Sequence, residues 1–316
     1  MRKKGHPMSS IAIIGASSQI AKDLILSFVK QGRTSLLLYA RNLSDTAAWM
    51  KAQGVEDACS LHTYDRYGEV PHDVVINFVG VGDPRRAAEM GASIFGITSQ
   101  FDDMILAGLE KHPQRRYLFL SSGAVYGNSF AEPVRDSTEA HISINQITPQ
   151  EYYATAKLHA EVRHRALTNQ AIVDLRVFNY FSRTQDLSAR FFVTDLLRAI
   201  RTGETVRVTS DFMVRDYLHP ADFHQLVERV LEAPPANTGI DCYTAAPVDK
   251  PALLQALNER FGLRYEIAPP SSGVAINATG AKPHYYSLSR KAEIFGYVPA
   301  YCSLSGVLEE AAALLA

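Results

Sequence analysis

Two hydrophobic periods alternate along the first 180 residues. Short runs, Ile11–Gly15, Leu36–Ala40, Val74–Gly80, Tyr117–Ser122 and Ile172–Asn179, are nearly continuous in apolar and β-branched character and read as strands. Between them Gln19–Gln31, Ser44–Gln53, Ser93–Lys111 and Pro149–Thr168 carry apolar residues at helical spacing. Strands without a polar face, separated by helices, predict a parallel sheet covered on both sides. Right-handed crossovers make it doubly wound, with ligands bound beyond the carboxyl ends of the strands. After Phe181 the rhythm changes. Helices are predicted at Ala189–Arg201, Ala221–Glu232, Pro251–Phe261 and from Leu304, strands at Thr205–Thr209 and Ile240–Ala245, and a Pro/Ser/Gly loop at Pro269–Gly273. No internal repeat interrupts this order.

The first strand runs into Gly15-Ala16-Ser17-Ser18-Gln19-Ile20-Ala21. A glycine here permits a tight turn, and the amides of Ser17, Ser18, Gln19 and Ile20 at the helix start can face a pyrophosphate. Ser18 and Ala21 stand where the usual three-glycine pattern has its second and third glycines; both are small enough for close backbone approach. The second strand ends in Arg41-Asn42, where NAD-preferring folds place an acid on the ribose 2′-hydroxyl. A guanidinium there suits a 2′-phosphate, so NADP(H) is favoured over NAD(H); a solvated strand-end arginine is the competing reading. Asp65, after the third strand, can accept a hydrogen bond from the adenine amine. The expected architecture is α/β: a Rossmann-type doubly wound parallel sheet with a smaller mixed α/β substrate-binding lobe. Residues 1–8 form a disordered tail, 9–180 the dinucleotide-binding domain with 214–245 returning to it, and 181–213 and 246–316 the second lobe.

The candidate chemistry follows the fifth strand. Ser121-Ser122-Gly123-Ala124-Val125-Tyr126-Gly127 leads to Tyr153-Ala154-Thr155-Ala156-Lys157, where an i,i+4 spacing puts a hydroxyl and an ammonium on one helix face. A tyrosine is a poor base at neutral pH, and a nearby cation lowers its pKa by favouring phenolate. Ser122 at the strand end can hold the same substrate oxygen, completing a proton donor–acceptor set for carbonyl/alcohol chemistry.

With these residues in order, the chain resembles the extended short-chain dehydrogenase/reductase family, the group of UDP-galactose 4-epimerase and the nucleotide-sugar dehydratases and reductases. Further motifs carry the resemblance: Leu175-Arg176-Val177-Phe178-Asn179, Arg215-Asp216-Tyr217-Leu218-His219 and Phe295-Gly296-Tyr297-Val298-Pro299. It implies that Ser122, Tyr153 and Lys157 are catalytic, with Lys157 also holding the nicotinamide ribose. Phe78, Val79, Gly80 and Phe178 would line the nicotinamide pocket, and Asn179 and Arg215 would contact a substrate diphosphate. The strand-four sequence Asn77-Phe78-Val79-Gly80 departs from the family's His-x-Ala-Ala. Dehydratases of the family carry Asp-Glu after the catalytic Ser/Thr and the fucose-type epimerase–reductases a Cys two residues after it; Gly123 and Ala124 remove both. The resemblance therefore implies an NADPH-dependent 4-keto-6-deoxy sugar nucleotide reductase serving surface glycans, with a C4 epimerase holding NAD as the alternative. A non-catalytic dinucleotide-binding sensor is the reading from a different class. The family's dimerisation through two helices per subunit would use Ser93–Lys111 and Pro149–Thr168, predicting a homodimer, although Ile94, Ile97, Phe101, Met104 and Ile105 suit a core equally.

Composition narrows the setting. In 316 residues, 32 basic and 33 acidic side chains balance, so there is no electrostatic case for a nucleic-acid partner. The longest apolar runs are far short of the roughly 18 residues that span a bilayer. Three cysteines, Cys59, Cys242 and Cys302, lack any C-x-x-C spacing and fit a reducing cytoplasm. Met1-Arg2-Lys3-Lys4 is followed by Gly5-His6-Pro7 and does not read as a signal peptide. His159/His164 and His219/His224 are five apart, off the spacing of two ligands on one helix face, so no metal is expected.

Overall fold

A computed structural model describes residues 9–80, 87, 89–127, 130–269 and 282–316. The expected tail at 1–8 and residues 270–273 of the predicted loop lie outside the described residues. Seven strands form the main sheet: β1 (Ile11–Ile14), β2 (Leu36–Tyr39), β3 (Cys59–His62), β4 (Val74–Asn77), β5 (Arg116–Ser122), β6 (Ala171–Val177) and β11 (Thr238–Asp241). Their order is β11-β6-β5-β4-β1-β2-β3, and every pairing is parallel. The chain leaves β1 to one side and returns to the other through β4, so β1 and β4 flank the switch point where such sheets bind ligands.

Helices α1 (Gln19–Lys30), α2 (Leu43–Gln53), α3 (Ser93–Lys111) and α4 (Pro149–Ala166) fill the crossovers. One apolar cluster sets α1 and α6 (Pro220–Glu232) against Ile11, Ile13, Leu38, Ile76 and Val173. The opposite face joins Ile14, Tyr39, Val75, Tyr117 and Phe119 to Ile105 and Leu109 of α3 and Ala160 of α4. Alternate residues of β1 thus point into different clusters, as the strand period requires. Ile94 and Ile105 are buried, whereas Ile97, Phe101 and Met104 remain half-covered.

Beyond β6 the chain makes β7 (Asn179–Tyr180), α5 (Phe192–Thr202), β8 (Thr205–Thr209), β9 (Val214–Arg215) and β10 (Tyr217–Leu218). After α6 and β11 come β12 (Val248–Asp249), α7 (Lys250–Phe261), β13 (Arg264–Ala268), β14 (His284–Tyr285) and α8 (Ser303–Leu315). A further cluster of Leu196, Leu197, Leu253, Leu257 and Val307 packs α5, α7 and α8 together. α5 starts three residues later than its periodicity predicts. Arg198 turns its guanidinium back onto the carbonyls of Leu187 and Ala189, holding that stretch outside the helix. The strand predicted at Ile240–Ala245 sits earlier, because Thr238 pairs with Val173 and Cys242 already leaves the sheet. Among the described residues no helix is long and apolar enough to cross a membrane.

Candidate active site

Gly15 ends β1 with φ +80°, and a Cβ there would lie 3.0 Å from the Val79 nitrogen and 3.1 Å from the Phe78 carbonyl carbon. The β1–α1 turn is therefore pressed against the end of β4, an approach only glycine permits. Ser18 caps α1 by accepting the Ala21 amide at 3.3 Å, and fully buried Ala21 packs the helix on the sheet. These two replacements keep the turn and the close packing. Ser17 is exposed beside the first turn, Ile20 rests on the core, and Gln19 donates to the Ser182 hydroxyl at 2.8 Å. Gly15→Ala combines left-handed strain of about 1–3 kcal/mol with contact against backbone. Fluorescence titration should show nicotinamide dinucleotide affinity falling roughly tenfold or more.

Arg41 is exposed at the end of β2, and Asn42 caps α2 by accepting the Asp45 amide at 3.2 Å. Tyr64 was not anticipated here. Burial raises its pKa, opposed by nearby Arg41 and by a hydrogen bond with the Gly15 backbone. That hydroxyl faces the glycine turn, while Asp65 is exposed in the same 3₁₀ turn.

Ser122 is the meeting point of the second half of the site. Its hydroxyl accepts the Ala124 amide at 3.2 Å, lies 3.3 Å from the Tyr285 hydroxyl, and bonds the Tyr153 hydroxyl. Burial raises Tyr153 above its ordinary pKa and Ser122 opposes the rise, so the phenol keeps its proton at neutral pH. Lys157, one turn on, does not sit on that phenol as the spacing alone suggested. Its ammonium donates to the Leu120 carbonyl at 2.7 Å and the Val79 carbonyl at 3.4 Å, and lies 4.2 Å from the Phe119 ring centre. Burial lowers Lys157 to about 8, against the attraction of Asp102, Glu161 and Asp174. Gly80 is part of this seat: a Cβ on it would fall 3.1 Å from the Lys157 Nζ.

Phe178 presses so closely on Gly123 that any side chain there would start 2.4 Å from the ring. The Phe78 ring turns into the core against Phe223, so its backbone alone faces the Gly15 turn. Asn179 and Arg215 come together through β7 and β10: Asn179 donates to the Asp216 carbonyl at 3.1 Å. Arg215 is not the surface partner of Asp216, whose carboxylate turns inward to Thr244 and Ser303. Its guanidinium instead binds the Val214 and Lys282 carbonyls, 5.9 Å from the Tyr285 ring centre. Lys282 is buried with its Nζ 4.6 Å from the same ring, and burial together with Arg215 lowers it to about 8. Tyr285 and Lys282 follow a stretch with no strand pattern, so only the tertiary fold brings Tyr285 to Ser122 and Lys282 to Arg215.

Behind Ser122, the Glu161 carboxylate takes the Ser121 hydroxyl at 2.5 Å and the Arg176 guanidinium at 2.6–3.1 Å. Elsewhere His219, Glu309 and Glu310 bring ligand atoms within 4.8 Å of one another, but Glu310 is taken up by the guanidinium and amide of Arg183.

A glycine turn at the switch point of a doubly wound parallel sheet, with a Ser/Tyr/Lys set at the end of the fifth strand, defines a Rossmann-type dinucleotide enzyme fold. A profile of the NAD dependent epimerase/dehydratase family matches residues 11–242, and the chain belongs to that family. Comparison with curated protein sequences finds no match. Among solved structures the chain is similar to UDP-glucose-4-epimerase from Stenotrophomonas maltophila, solved with bound NAD and formylated UDP-arabinopyranose. The TM-score is 0.78 at 16% identity, covering 97% of this chain and 98% of that one. UDP-glucose 4-epimerase from Bifidobacterium longum, solved with NAD+ and UDP, gives 0.74 at 19% identity over 97% of both chains. dTDP-glucose 4,6-dehydratase from Bacillus anthracis, solved with NAD, gives 0.75 at 14% over 96% of both.

Proposed function

We propose that the protein is an NADPH-dependent reductase acting on the 4-keto group of a 6-deoxy sugar carried by a nucleoside diphosphate. The observation that carries this reading is the convergence on Ser122 of a tyrosine that keeps its proton. The residues around Gly15 fit a dinucleotide, because the turn admits no side chain and leaves the first amides of α1 to face a pyrophosphate. When bound, the nicotinamide supplies a hydride. Tyr153 then gives its proton to the oxygen of the carbonyl being reduced, and Ser122 orients that oxygen. Lys157 contributes a buried positive charge near the seat of the ribose. Arg215 and Lys282 suit the diphosphate, with Asn179 beside them.

Two features narrow the reaction. Phe178 occupies the space beside Gly123, and Ala124 is buried, so the stretch after Ser122 holds no acid–base pair for elimination. Arg41 supports NADPH, because it flanks the Tyr64 hydroxyl beside the glycine turn. A second reading, C4 epimerisation with NAD retained through both half-reactions, is favoured by the NAD seen in the two similar epimerases.

Titration with NADPH and NADH, followed by nicotinamide fluorescence, separates the two. Charge-assisted bonds to a 2′-phosphate are expected to favour NADPH by roughly 10- to 150-fold. Arg41→Ala should weaken NADPH binding and leave NADH nearly unchanged. Equal affinities, or NAD retained through purification, would move the epimerase ahead. A panel of UDP-, dTDP-, CDP- and GDP-linked 4-keto sugars then identifies the substrate.

A further inference from the structure

Seven residues beyond Lys157 on α4, two turns along the same face, His164 is completely buried. Its Nδ1 meets Asp174 at 2.6 Å and its Nε2 meets Asp102 at 2.8 Å. Both carboxylates are themselves completely buried, on β6 and α3. A carboxylate only accepts, so with both aspartates ionised each ring nitrogen carries a proton and His164 is a cation. The outer oxygens are also used: Arg163 donates to Asp102 at 3.2 Å and Arg165 to Asp174 at 2.8 Å.

The network does not end there. The Tyr117 hydroxyl donates to the same Asp102 oxygen at 3.0 Å and accepts the Asn77 side-chain amide at 3.1 Å. Asn77 in turn accepts the Val79 N–H at 2.9 Å. The next carbonyl, that of Val79, is one of the two that receive the Lys157 ammonium. Phe119 joins the ends a second way, with the ammonium over its face and the His164 ring 5.2 Å away at its edge. Every polar atom of Asn77, Asp102, Asp174 and His164 has a partner, and the donors from Val79 through Asn77 and Tyr117 run toward Asp102, which accepts from His164 on its other side, so the network has one register. Such a buried ionic set is expensive compared with apolar packing. Its last link touches the main chain at the Lys157 seat.

We propose that His164, through Asp102, Tyr117 and Asn77, is a positioning residue that fixes the Val79 main chain by its N–H, so that the carbonyl of the same residue stands ready to receive the Lys157 ammonium. The Asn77 departure noted in strand four is the coupling element. This rests on the reading of Lys157 as part of the reacting site. Burial would lower His164, but its bonds to Asp102 and Asp174 outweigh it and leave the imidazolium near 9. The charged groups facing Lys157 are Asp102 from α3, Asp174 from β6 and Glu161 from α4, the last paired with Arg176.

The test is Tyr117→Phe, which removes one oxygen from the middle of the network and keeps the ring against His164 and Phe119. With lysine labelled at ¹³Cε and Lys157 assigned from Lys157→Arg, the pH midpoint of its resonance is read in the protein alone. Loosening the Val79 carbonyl weakens an acceptor for the charged form, so the midpoint should fall by about 0.5 or more on the pH scale. The alkaline limb of kcat/KM should move with it. Asn77→Ser breaks the same chain one link nearer the site and leaves His164 and its aspartates intact, so it substitutes if Tyr117→Phe folds poorly. A folded variant of either kind with an unmoved Lys157 midpoint overturns the proposal. Because the midpoint needs no turnover, a shifted midpoint in a protein that reduces no sugar nucleotide would sink the proposed function and leave this inference standing.

Discussion

Tyr153→Phe is expected to lower kcat by about 10²- to 10⁴-fold while nicotinamide dinucleotide still binds. The substitution keeps the ring of a half-buried residue and removes only the hydroxyl that meets Ser122. Tyr285 shares Ser122 at 3.3 Å, but burial pushes its hydroxyl well above the ordinary tyrosine range, which makes it a poor substitute. Steady-state rates on the reactive sugar nucleotide, beside fluorescence titration of the cofactor, check both halves. A variant that retains wild-type turnover would remove Tyr153 from the chemistry. Cofactor binding with no turnover in the wild type on any sugar nucleotide would bring forward the sensor reading.

The second large effect is on stability. Glu161→Gln should lower Tm by roughly 6–15 °C, from a loss of about 3–5 kcal/mol when a buried pair loses one partner. Glu161 is 4% exposed and accepts three guanidinium contacts from Arg176 together with the Ser121 hydroxyl. Without that charge, Arg176 keeps Asp241 at 3.5 Å and the Tyr126 hydroxyl, an incomplete replacement. A Glu161→Leu/Arg176→Leu double variant should cost less than the sum of the single changes, because neither charge is left alone. Calorimetry decides it: a single-variant fall under about 2 °C means the pair is not the strut the geometry describes.

The strands and the Ser/Tyr/Lys motif were legible for the same reason. β1, β2, β4, β5 and β6 are buried on both faces, so their apolar runs are unbroken, and each meets a helix with a clear period. Ser122, Tyr153 and Lys157 lie on elements whose ends the local pattern marks. The placement of Lys157 was not legible. The spacing put it near Tyr153, but which acceptors hold it depends on the Val79 carbonyl just beyond β4 and the Leu120 carbonyl of β5, and these meet α4 only after folding. In the sequence the nearest histidine to His164 is His159, five residues back; its actual partners are 62 and 10 residues away on other elements.

By itself the sequence determined the alternation of strand and helix, the glycine turn after the first strand, and the Ser122…Tyr153…Lys157 order. These are short-range properties: backbone freedom at Gly15, side-chain period along each element, and i,i+4 proximity on one helix. Tertiary structure alone decided that β11 closes the sheet beside β6 and that Tyr285 and Lys282 reach Ser122 and Arg215. It also decided that the Tyr64 hydroxyl meets the glycine turn and that Asn77 couples a buried histidine to the Lys157 seat. Each of these joins residues far apart in the chain, and nothing in the local pattern of either partner carries the other's position.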